Sequence, residues 1–132
     1  MVINYEEGGE KSVLHGDDRS ESFLTEHITT PKIGERNLTA ESLWEYGSRV
    51  GFWRLTRLFR DFDIPVTFFA CALALERNPA IAAAIRASGN DVCCHGWRWE
   101  RHWLLSEAEE REHIRRAVAS LERTLGSRPL GW

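Results

Sequence analysis

The sequence predicts an α/β fold in which parallel strands alternate with helices, either as an open sheet or barrel-like. Three observations carry that expectation. Short β-branched or aromatic runs recur at residues 2–5, 66–70 and 91–94, and the segments after the second and third carry helix caps and helical periodicity. The run Val66-Thr67-Phe68-Phe69-Ala70 is apolar without alternation, as in a strand covered on both faces. Regular alternation of this kind argues for a parallel sheet with right-handed crossovers.

The elements follow in order. The first strand, residues 2–5, runs into the acidic turn Glu6-Glu7-Gly8-Gly9-Glu10. Residues 11–37 show little periodicity and much Ser, Thr, Gly and charge, which reads as a long loop of the kind that is often functional. A helix is expected over residues 42–62, opened by a capping box of Ser42 and Glu45, with Phe52, Leu55, Phe59 and Phe62 as its core face. Gly47 and Gly51 lie one turn apart on it; close packing against a neighbouring backbone or a break near Gly47 would each explain them. The strand over 66–70 follows Pro65. Asn78 and Pro79 then open a helix as N-cap and first residue, and Gly89 closes it. The strand over 91–94 comes next. Last is a helix capped by Ser106 and Glu109, striped by Ile114, Val118, Leu121 and Leu125, and ended by Gly126.

Composition excludes several classes. The 132 residues are 42% hydrophobic and 28% charged, with a net charge of -3, which suits one soluble domain with a real core. No basic stripe points to nucleic acid, and the longest low-charge run, residues 64–75, is too short to span a bilayer. The N-terminus lacks the basic and apolar regions of a signal peptide. The three cysteines, Cys71, Cys93 and Cys94, are odd in number and form no C-x-x-C pair, so a reduced, cytoplasmic protein is expected.

In parallel α/β folds, sites gather at the C-terminal ends of the strands. Glu6-Glu7 leaves the first predicted strand there, and His95 leaves the third at the same edge. Two carboxylates and an imidazole on one rim suit general acid–base hydrolysis. Singly, each has a bland reading, as a solvated carboxylate or a structural histidine; their convergence favours the functional one. Cys94 stands beside His95, but neighbouring strand residues face opposite sides, so it reads as buried and inert.

Seven blocks carry a resemblance: Asn4-Tyr5-Glu6-Glu7-Gly8-Gly9-Glu10, Ser12-Val13-Leu14-His15-Gly16-Asp17, Glu45-Tyr46-Gly47-Ser48-Arg49, Gly51-Phe52-Trp53-Arg54-Leu55, Ala74-Leu75-Glu76-Arg77-Asn78-Pro79, His95-Gly96-Trp97-Arg98-Trp99 and Arg128-Pro129-Leu130-Gly131-Trp132. In order along nearly the whole chain, they resemble the PuuE-type allantoinases, a branch of the polysaccharide deacetylase (NodB-like) family. The resemblance implies a distorted (β/α) barrel, of which residues 1–132 would form one incomplete, N-terminal catalytic part. Ordinary deacetylases carry an Asp pair, one base and one metal ligand, and a His-x-x-x-His motif. Glu6-Glu7 stands at the first and His95 at the start of the second, where the closing position is Trp99. Indole cannot ligate a metal, so the resemblance implies no metal and no other cofactor.

The implied reaction is hydrolysis of the hydantoin ring of allantoin to allantoate, a step of purine catabolism. Glu6 or Glu7 would activate water, His95 would act as acid or oxyanion donor, and Trp97, Trp99 and His15 would contact the ureide substrate. The full-length family member is expected to be a homo-oligomer, and this chain alone to be inactive. The alternatives are a metal-dependent deacetylase of N-acetyl sugars, a non-catalytic ligand-binding module, and a truncated remnant.

Overall fold

A computed structural model describes residues 1–23, 25 and 30–132. Its centre is a three-stranded, all-parallel sheet in the order β1 (Val2–Tyr5), β2 (Thr67–Ala70), β3 (Asp91–Cys94). The three strands run in one register, so that Tyr5, Ala70 and Cys94 form the last row. Everything that leaves the sheet at that edge therefore leaves at one level. The expected parallel alternation is what the chain adopts.

Alternation along the strands sorts the side chains. Tyr5, Phe68, Ala70 and Cys94 face the helices and are buried in one core with Phe52, Phe59, Leu75, Ile81, Ile85 and Leu121. Thr67 and Phe69 face the other way and are only half-buried, so β2 is not covered on both faces as its composition suggests. Glu6 and His95, one residue past the last row, follow the Asn4, Phe69 and Cys93 side. Cys94 ends in the core while His95 is exposed.

The first helix differs from expectation at both ends and in its middle. It begins at Leu38, where the Asn37 side chain accepts from the Ala40 N–H. Ser42 therefore lies inside the helix, its hydroxyl donating to the Thr39 carbonyl, and the Ser42–Glu45 capping box does not form. The helix runs without a break through α1 (Leu38–Tyr46), a π-helical turn at Gly47–Gly51, and α2 (Phe52–Asp61). Of its expected core face only Phe52 and Phe59 are buried; Leu55 and Phe62 are exposed. Phe62 is the C-cap residue, past the last helical turn, and Leu55 lies at the solvent edge of the face that buries Phe52 and Phe59.

A short helix that the sequence reading lacks, α3 (Ala72–Arg77), follows β2 directly. Its free N–H groups at Ala72 and Leu73 donate to the Gly96 and Trp97 carbonyls, so the loop after β3 serves as its cap. After α3 comes α4 (Pro79–Ser88), with Asn78 as N-cap and left-handed Gly89 as C-cap, as expected. The last helix, α5 (Glu107–Leu125), carries the expected Ser106–Glu109 capping box and Gly126 stop. Leu121 and Leu125 of its stripe are buried, with Ala117 and Ser120 beside them, and Ile114 is exposed. The long loop holds one 3₁₀ turn, Val13–His15, and an isolated bridge between Arg19 and Ile33; residue 24 and residues 26–29 of that expectation lie outside the described residues. Among the described residues no helix is long and apolar enough to cross a membrane.

Candidate active site

Glu6 and His95 leave strands that sit on either side of β2. Adjacent strands are about 4.8 Å apart, so the two backbones are separated by roughly 10 Å. Two side chains reaching toward each other close that gap: His95 Nε2 lies 3.3 Å from Glu6 Oε1. Glu6 Oε1 also accepts from Asn4 Nδ2 at 2.8 Å, and Glu6 Oε2 accepts from the indole N–H of Trp99. A carboxylate offers about four lone-pair positions, and three are taken. The fourth, on Oε2, has no partner among the described residues and can accept from a water.

The two loops that carry these groups are tied together. Trp99 N–H donates to the Gly9 carbonyl at 3.0 Å. Arg98 donates to both carboxylate oxygens of Asp17 at 2.8 Å, to the Glu10 carbonyl at 2.8 Å and to the Gly9 carbonyl at 3.4 Å. That hydrogen-bonded guanidinium holds the Asp17 carboxyl below the usual carboxylate range. Gly8 closes the acidic turn: its φ of +109 suits glycine, and a Cβ there would stand 3.2 Å from the Ala74 Cα. Arg77 donates to the Gly8 carbonyl, and Glu10, itself buried, accepts from the Gly8 N–H.

Glu7 points away from this cluster. Its carboxyl packs against Gly47 of the π-helical turn and accepts from the Glu6 N–H at 3.3 Å. Burial pushes its pKa up, and the Glu6 and Glu10 carboxylates add to that against its backbone hydrogen bonds. Glu7 lines a cleft of about 680 Å³ together with His15, Trp44, Trp53, Arg77 and Asn78. Glu6 and His95 are not part of that wall. The two regions meet through Trp44, whose ring lies edge-on to Trp99 at 5.7 Å.

The structure thus brings Glu6, His95 and Trp99 together and places Glu7 and His15 on an adjoining cleft. Trp97 lies elsewhere: it is 5% exposed, with the Arg116 guanidinium 3.6 Å above its ring, which makes it a core residue and not a surface for a ligand. Three contributors were not singled out in the sequence. Asn4 and Arg98 stood only inside the blocks that carry the resemblance, without a role of their own, and Trp44 lay outside those blocks. All three cysteines are buried and unpaired, and burial raises the Cys94 and Cys71 thiols. His102 pairs with Glu110 at 3.1 Å.

The family model of polysaccharide deacetylases matches residues 37–132. The chain belongs to the polysaccharide deacetylase family. Over its full length it is 38% identical to a protein of Schizosaccharomyces pombe provisionally described as a polysaccharide deacetylase, of which it covers 42%. It is 24% identical over 66% of its length to a peptidoglycan deacetylase of Helicobacter pylori, covering 30% of that protein. Among solved structures it superposes on PuuE allantoinase with a TM-score of 0.92 at 52% identity, covering 99% of this chain and 44% of that one. A protein of Pseudomonas aeruginosa PAO1, provisionally assigned as a polysaccharide deacetylase, gives a TM-score of 0.92 at 49% identity with the same coverage. The chain therefore has the α/β fold of deacetylase-type proteins and spans less than half the length of these relatives.

Family deacetylases are metal enzymes by the resemblance above, and the residues here fit such a centre poorly. Trp99 has a hydrogen to donate and no lone pair to give, and it occupies a carboxylate oxygen that an ion would need. Among the described residues no three His, Cys, Asp or Glu groups gather within ligating reach.

Proposed function

We propose that the chain carries part of the active site of an amidohydrolase that opens the hydantoin ring of allantoin without a metal. The observation that carries this reading is the Glu6 carboxylate held by the Trp99 indole and His95. The similarity to PuuE allantoinase supports it. Glu6 takes a proton from water through its fourth lone-pair position, and the resulting oxygen adds to a ring carbonyl carbon. His95, held beside Glu6 by its Nε2, donates to the oxyanion as it forms. Glu6 then gives the proton it took from water to the ring nitrogen as the C–N bond breaks, while Glu7 lines the adjoining cleft. The product is a ring-opened carboxylic acid. His15 and Trp99 border the cleft and the cluster where such a ring would lie.

Because the chain spans 44% of the allantoinase, we place turnover in a chimera and not in the isolated chain. This chain replaces the matching segment of PuuE allantoinase, and ring opening is followed with and without a chelator. Allantoate formation unaffected by chelation is the expected result, with Glu6→Gln and His95→Ala each lowering kcat by about a hundredfold or more. A folded chimera that leaves allantoin intact and deacetylates N-acetyl sugars on metal addition would replace this reading with the metal-dependent one.

A further inference from the structure

We propose that the π-helical turn Gly47–Gly51 builds the slot that receives the substrate ring, by seating Glu7 against Gly47 and by bringing Trp44 and Trp53 onto one wall. The proposal rests on the cyclic-amide reading for its ligand class, and on geometry for the rest.

Side chains nine positions apart on an unbroken α-helix differ in direction by about 180°. Trp44 and Trp53 are nine apart and would face opposite sides. A five-residue turn closed by an i→i+5 bond winds less per residue and cuts that difference to roughly 90°. That bond is present, from the Phe52 N–H to the Gly47 carbonyl. Both tryptophans accordingly line the cleft, and Phe52, next in the chain to Trp53, is still buried in the core.

The same turn admits Glu7. A Cβ at Gly47 would stand 2.9 Å from Glu7 Cδ, closer than real contacts allow, closer still to Oε1, and at a tight 3.1 Å from Cγ, so the Glu7 carboxyl would have to leave this position. Gly51, at the other end of the turn, has only the Tyr46 carbonyl within reach, at 3.7 Å. Of the two glycines, Gly47 is thus the one that faces the carboxyl. Trp44 then carries the wall on to Trp99 and so to Glu6. The slot this makes sets Trp44 and Trp53 beside the Glu7 carboxyl in an otherwise largely polar lining. It suits a flat ring bearing N–H groups, with Trp44 and Trp53 as specificity residues and Gly47 as a positioning residue.

The test is titration of the 132-residue chain with hydantoin, read by the indole N–H resonances. Hydantoin is expected to shift Trp44 and Trp53 and to leave buried Trp97 still, while N-acetylglucosamine at equal concentration shifts neither. Gly47→Ala should weaken hydantoin binding at least fivefold, and Glu7→Asp in the Gly47→Ala background, whose carboxyl is one methylene shorter, should recover most of it. Hydantoin that fails to shift either indole, N-acetylglucosamine that shifts them equally, or Gly47→Ala that binds like the parent would overturn the proposal. Chimera turnover of allantoin without indole shifts in the chain would sink the slot and leave the reaction standing; indole shifts without turnover would do the reverse.

Discussion

Replacing Arg98 by Met keeps most of the aliphatic stem and deletes the guanidinium that fastens the two site loops together. The parent arrangement has two 2.8 Å bonds to Asp17, with the two side chains 14% and 17% exposed, and a further bond to the Glu10 carbonyl. The variant leaves the Asp17 carboxylate partly buried, with the Ser12 N–H as its remaining donor among the described residues. Breaking a fully buried pair from one side costs about 3–5 kcal/mol, and for this partly exposed pair, which also loses the bond to the Glu10 carbonyl, about 3 kcal/mol is the upper figure. For a chain of this size, about 3 kcal/mol lowers the melting temperature by roughly 10 °C. The sign of the pH dependence follows from Asp17, whose folded pKa is depressed by Arg98. Such a carboxyl stabilises the fold above its unfolded value of about 3.9, and that stabilisation is lost as pH falls through the folded value. Parent and Arg98→Met should therefore differ most near neutral pH and converge in acid, and adding Asp17→Asn to the variant should recover part of the loss. Thermal melts by circular dichroism at about pH 7 and about pH 2.5 measure both effects. A variant melting within about 2 °C of the parent at neutral pH, or a gap of equal size at both pH values, would refute the reasoning.

Three further outcomes are expected. Glu7→Gln should match the parent in stability below the ordinary glutamate pKa of about 4.3 and exceed it at higher pH, because a carboxyl whose folded pKa is raised loses its contribution as pH climbs; denaturant melts across that range check this, and a variant that is weaker at high pH would contradict it. The three thiols should react slowly with a disulfide reagent in the folded chain and fully in denaturant, and fast native labelling of Cys94 would reopen it as a nucleophile. Ser106→Ala removes the side chain that caps α5 and should cost about 1 kcal/mol, measured by urea unfolding with an unchanged slope.

The local devices were legible in the sequence because each depends on a few neighbouring residues. The strands, the Asn78-Pro79 start, the Ser106–Glu109 box and the Gly89 and Gly126 stops follow from backbone chemistry that needs no distant partner. So did the meeting of Glu6 with His95 at one sheet edge, since parallel register alone delivers both to the same level. Other features depend on what lies across the fold. The helix start moved to Asn37, whose Nδ2 donates to the Glu21 carbonyl sixteen residues away, and the helix α3 exists with its cap supplied by the loop after β3. Trp97 and Trp99 are indistinguishable as letters. Only packing sends one beneath Arg116 and the other onto Glu6. The sequence by itself determined which chemical groups reach the rim. The tertiary structure decided their partners, because those hydrogen bonds join residues more than eighty positions apart, and it decided that Glu6 and Glu7, adjacent in the chain, occupy two different environments.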